Sequence, residues 1–130
     1  MNVSKPQTAF IKNQLTISTD LARKTLAGLE TMSSDDSIPI DESMLQNARN
    51  TYVLIRAARH GMELNKETSK FPDPTMDLAF KRVNEAWNLA RNPVDRSTSG
   101  GIPRPQYIQE SIQSLNQVIR LLNQALTIMP

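Results

Sequence analysis

Cysteine is absent from this chain of 130 residues, and histidine occurs once, at His60. The first shortage excludes disulfide staples, thiolate metal sites and cysteine nucleophiles, and the second excludes any site built on a histidine pair. Aromatic residues make up only 5% of the chain, with three Phe, two Tyr and one Trp, too few to line a surface that stacks nucleic-acid bases. Glycine is scarce as well, at four residues, and none belongs to a phosphate-cradling loop or a Gly-x-Ser-x-Gly turn. No apolar run approaches the roughly 20 residues that cross a bilayer. The opening MNVSKPQTAF has no apolar leader core, so a cytoplasmic protein with no membrane partner is expected.

Neither sign of charge dominates. Fifteen basic residues stand against thirteen acidic ones for a net charge of +2, and no segment forms a polybasic arm. The pI near 9.2 therefore reports the high pKa values of Lys and Arg rather than a nucleic-acid footprint. An apolar fraction of 38% is modest but compatible with one folded core in a chain of this length.

What the chain has is helical periodicity. Ile108, Ile112, Leu115, Ile119, Leu122, Leu126 and Met129 succeed one another at spacings of 4, 3, 4, 3, 4 and 3, which keeps them on one side of a helix. The other side is mostly amide: Gln106, Gln109, Gln113, Asn116, Gln117, Asn123 and Gln124. Such a stripe has to be covered by partners. Upstream, Met76, Phe80, Val83, Trp87 and Ala90 follow the same rhythm behind Asp73 and Pro74, a capping side chain followed by a proline suited to the first helical turn. Pro93 ends that helix at Asn92.

Two further helices precede these. Asp41 caps one whose buried arc is Met44, Leu45, Ala48, Tyr52, Ile55, Ala58 and Met62; His60 and Gly61 could end it, but continuation through Gly61 toward Lys66 is the favoured reading. The first helix has a looser pattern, with Ile11, Leu15, Ala22, Leu26 and Leu29 on one face and Phe10, Ile17 and Leu21 beside them. Thr8, Thr16, Thr19, Thr25 and Thr31 weaken its propensity, so one long helix and two shorter ones both fit. The reading is an all-α, antiparallel four-helix bundle in one domain, with helices over about 6–32, 41–66, 74–92 and 105–129. The connection over 93–106 is a long loop before the last helix, long enough for a crossover.

Functional signals are few. His60 and Glu63 lie one turn apart, but in the reverse order of the Glu-x-x-His pairs that bind metals in bundles, and Asp35, Asp36, Asp41 and Glu42 lack calcium-loop spacing. No cofactor, metal or catalytic group is expected. Trp87 and Tyr107 read as core. Two surface features stand out. Val118, Leu121, Ala125 and Ile128 widen the apolar arc of the last helix beyond what one neighbour covers, so that helix is either enclosed by the bundle or covered by another molecule. Val53 and Leu54, outside the arc of the second helix, add to the case for a second interface. The other feature is a basic cluster on the second helix, with Arg49, Arg56 and His60 on one stripe and Arg59 within the adjoining apolar arc, joined by Lys66, Lys70, Lys81 and Arg82, which suits an anionic ligand or nucleic acid. The expected function is a non-enzymatic interaction or assembly protein, binding itself as a homo-oligomer or a partner protein through Val118, Leu121, Ala125 and Ile128. The alternative is an anion- or nucleic-acid-binding regulator using the basic stripe, which salt would weaken steeply.

Overall fold

The computed structural model describes residues 5–68, 73–94 and 102–129, with the side chains of 5–7 and 66–68 outside that description. Four helices account for nearly all of it: α1 Lys5–Ser34, α2 Glu42–Thr68, α3 Pro74–Ala90 and α4 Arg104–Ile128, with no strand among the described residues. Two of the starts are capped by side chains. Asp41 accepts a hydrogen bond from the Ser43 amide at 3.0 Å to open α2. Asp73 accepts from the amides of Thr75 at 3.0 Å and Met76 at 3.3 Å to open α3. Ser4, whose hydroxyl suits an N-cap ahead of Pro6, lies outside the described residues.

α1 is one helix, and its hydroxyls are accommodated within it. Thr16, Ser18, Thr19, Thr25 and Thr31 each donate to the carbonyl four residues earlier, at 2.7–3.0 Å. These side chains are thus satisfied within the helix and behave as small core residues where buried. α2 runs through Gly61 as expected. α3 stops at Ala90, earlier than the expected Asn92, and 92–94 form a separate helical turn inside the stretch read as loop. Of that stretch, 95–101 lie outside the described residues.

The helices pack in chain order around a square: α1 on α2, α2 on α3, α3 on α4, and α4 back on α1, while neither diagonal pair approaches. No crossover is made. A single hydrophobic cluster draws on all four helices. Its inward columns are strictly heptad: Ile11, Leu15, Ser18, Ala22, Thr25, Leu29 and Met32 on α1; Met44, Ala48, Thr51, Ile55, Ala58, Met62 and Asn65 on α2; Ala79, Val83, Ala86 and Ala90 on α3. On α4 they are Ile108, Ser111, Leu115, Val118, Leu122, Ala125 and Met129. The expected seams of α3 and α4 are therefore rotated. Met76, Phe80 and Trp87, like Ile112, Ile119 and Leu126, sit half-buried on the flanks while smaller residues face the centre. Space is the reason, because small inward side chains let helices approach toward the short end of the usual 8–10 Å and leave the larger ones to seal the gaps between neighbours.

The α1–α2 pair fixes its register through two glycines. A methyl group built on Gly61 would lie 3.5 Å from Cγ1 of Ile11, and one on Gly28 would lie 3.1 Å from Cγ of Met44. Position n of α1 is therefore level with position 72 − n of α2. The two contacts differ in consequence. Gly61→Ala gains the helical preference of alanine at ordinary contact distance, and is expected to stabilise the protein by about 0.5–1 kcal/mol in urea unfolding. Gly28→Ala must displace Met44 and is expected to gain less; an equal or larger gain there would show that this approach is not tight.

Candidate interaction surfaces

The surface expected on the last helix is not a surface. Val118 and Ala125 are fully buried and Leu121 is 4% exposed, all within the shared core, while Ile128 is half-buried against it. α4 packs on both α1 and α3, so its wide apolar arc is enclosed by two neighbours of the same chain. A docking patch made of Val118, Leu121 and Ala125 is accordingly withdrawn.

Two of the four residues of the basic cluster on α2, Arg49 and Arg59, are engaged inside the molecule. Arg49 Nη1 contacts Glu42 Oε1 at 2.8 Å. Arg56 is exposed, with its guanidinium carbon 5.9 Å from the centre of the Tyr52 ring, and His60 is exposed. Arg59 reaches from α2 to α3. Its Nε donates to Asn84 Oδ1 at 2.6 Å, Nη1 lies 3.4 Å from Glu63 Oε2, and the guanidinium carbon stands 4.8 Å from the Trp87 ring centre and 5.4 Å from that of Phe80. Tyr52 stacks on Trp87 at 6.1 Å, and Arg91 lies on the same indole at 5.8 Å. The α2–α3 seam is thus filled by a layered set of rings and guanidinium groups that clamps the two helices. Of the additional cations, the Lys66 side chain and Lys70 lie outside the described residues, Lys81 is exposed, and Arg82 pairs with Glu85 at 3.3 Å.

Other polar groups also serve the fold. Arg104, at the start of α4, donates from Nη2 to the carbonyls of Met32 and Asp35, both at 3.3 Å, placing a cation on the C-terminal end of α1 where the helix dipole favours it. Tyr107 donates to the Pro93 carbonyl at 2.7 Å, and burial raises its pKa. Asn92 donates to Ser114 Oγ at 3.0 Å. In the exposed loop, hydrogen bonds from the Ser37 hydroxyl and amide hold the Asp35 carboxyl below its ordinary range. Among the described residues no three metal-ligating side chains gather, and no helix is long and apolar enough to cross a membrane.

A different apolar surface lies on the outer side of the α1–α2 pair. Phe10 is 62% exposed, Ile17 42% and Leu64 47%, and Ala57 is also exposed; Leu21 and Leu54 are half-buried. By the register above, Phe10 is level with position 62 and Ile17 with position 55, so these side chains share one half of the pair's length. On heptad geometry Phe10, Ile17, Ala57 and Leu64 point straight out from the pair, and Gln14, Leu21, Leu54 and Gly61 line the groove between them. None of these eight residues is charged. The sequence did carry this signal: Phe10, Ile17 and Leu21 lie beside the inward face of α1, and Leu54 lies off that of α2. Only the pairing of α1 with α2 unites them.

Fold and surface together define a small antiparallel helical bundle with an apolar outer face on the α1–α2 pair. Comparison of the chain with family models, with curated proteins and with solved structures gives no match.

Proposed function

We propose that this protein is a non-enzymatic assembly subunit or adaptor of the cytosol, and that it contacts other protein through the outer face of α1 and α2. The observation that carries this reading is the uncharged apolar strip of Phe10, Ile17, Leu21, Leu54, Ala57 and Leu64, which lies outside the inward columns of the bundle. Contiguous apolar surface rimmed by polar residues is costly to leave in water and marks contact sites. Engagement of Arg49 by Glu42 and of Arg59 by Asn84 and Glu63 weighs against the basic stripe as the working surface.

A photocrosslinking phenylalanine analogue tests it. Placed at Phe10 in the protein within the cells that make it, the probe is expected to give discrete protein adducts. The same probe at Gln117, exposed on α4, is the control. Adducts from Gln117 with none from Phe10 would overturn the reading.

A further inference from the structure

We propose that the α1–α2 face is covered by a second copy of this chain, related to the first by a two-fold axis parallel to the helices. The proposal rests on the reading of that face as a contact surface and names its occupant. The area supports it. From Thr8 to Met32 the pair runs about 37 Å at 1.5 Å per residue, and two helices side by side present a face about 20 Å wide, hence roughly 700 Å². A stable interface covers about 800 Å² on each partner. A single helix laid in the groove would cover about half of that face. A two-fold axis perpendicular to the helices, centred on the apolar half, would cover only about 400 Å².

Shape supports it too. An axis parallel to the helices keeps every residue at its own height and sets α1 of each copy against α2 of the other. At the height of Ile17 the outward column of α1 is large and that of α2 is small at Ala57, whereas near Phe10, with Gly61 in the groove, both columns are large, because Leu64 is level with position 8. Ile17 of one copy therefore falls onto Ala57 of the other and Phe10 packs beside Leu64, each twice by symmetry. The apolar halves coincide and so do the polar halves. In the polar half Lys24 is the one charge among Lys24, Gly28, Thr31, Ser43, Asn47 and Asn50. This axis brings it to the partner copy's Asn47 and Asn50, with the two lysines on diagonal helices, so no like charges meet. The contact would make a second four-helix layer from α1 and α2 of both copies.

The cysteine-free chain allows a clean test. Ile17→Cys and Ala57→Cys, both at exposed positions, are purified separately, checked for wild-type helicity, and oxidised alone and mixed. Light scattering gives the mass of the wild type at micromolar concentration. Expected are a doubled solution mass and a disulfide-linked species of two chains that forms in the mixture and not in either variant alone. Linking by Ile17→Cys alone would set α1 against α1 and overturn the parallel axis. A monomeric wild type would overturn the second copy. In that case adducts from Phe10 to a different protein leave the contact reading standing, and their absence removes it as well.

Discussion

Leu121→Glu is expected to unfold the protein, whereas Ile128→Glu, one heptad further along the same helix, is expected to leave it folded. Leu121 is 4% exposed within the shared core, and Ile128 is half-buried at its margin. Replacing a buried leucine forfeits about 2–5 kcal/mol of packing, and an unpaired carboxylate there adds a desolvation cost of several kcal/mol. Against a typical total stability of about 5–15 kcal/mol, the sum is decisive. Burial raises the pKa of such a carboxyl, so protonation favours the folded form and the variant regains stability as pH falls through that raised value. Circular dichroism across pH, with urea unfolding at neutral pH, checks all three statements. A Leu121→Glu protein with wild-type helicity and midpoint would mean that this side of α4 is not core, and would return it as a contact surface.

Arg59→Ala is expected to cost about 2–4 kcal/mol, far more than truncation of an exposed arginine. A hydrogen bond from a charged donor contributes about 1.5–3 kcal/mol, and guanidinium stacking on rings about 0.5–2 kcal/mol each in partly desolvated settings. Arg59 makes one bond to Asn84 and lies over both Trp87 and Phe80. The ion pair with Glu63 at 3.4 Å, with the glutamate side chain 44% exposed, adds little. Arg59→Lys keeps the charge but loses the planar fork, and is expected to recover less than half of the loss. A double-mutant cycle with Asn84→Ala isolates the cross-helix bond, with a coupling of about 1 kcal/mol or more expected. If Arg59→Ala changed stability by less than about 0.5 kcal/mol, the layered seam between α2 and α3 would not be a clamp.

The four helices, the caps at Asp41 and Asp73 and the continuation of α2 through Gly61 were legible because they depend on neighbours along the chain. The orientation of α4 was not. Its larger apolar residues, Ile112, Ile119 and Leu126, share a stripe with Ile108, Leu115, Leu122 and Met129, but so do Ser111, Val118 and Ala125. Periodicity alone favours the more hydrophobic set. α3 has the same ambiguity, with Met76, Phe80 and Trp87 competing against Ala79 and Ala86 for the places beside Val83 and Ala90.

The sequence by itself determined which segments are helical, where they begin, and that each has one apolar side, since hydrogen bonding and side-chain spacing are settled within a few residues. Tertiary structure alone decided which of two overlapping stripes points inward. A centre shared by four close-packed helices has room for Ser18, Thr25, Thr51, Ala86, Ser111 and Ala125, and the large side chains find their space between neighbouring helices. The same packing enclosed Val118 and Leu121 and drew Arg59 across to α3. It also left Phe10 and Ile17 outside, because the neighbours of α1 in the square are α2 and α4, and neither covers that outward face.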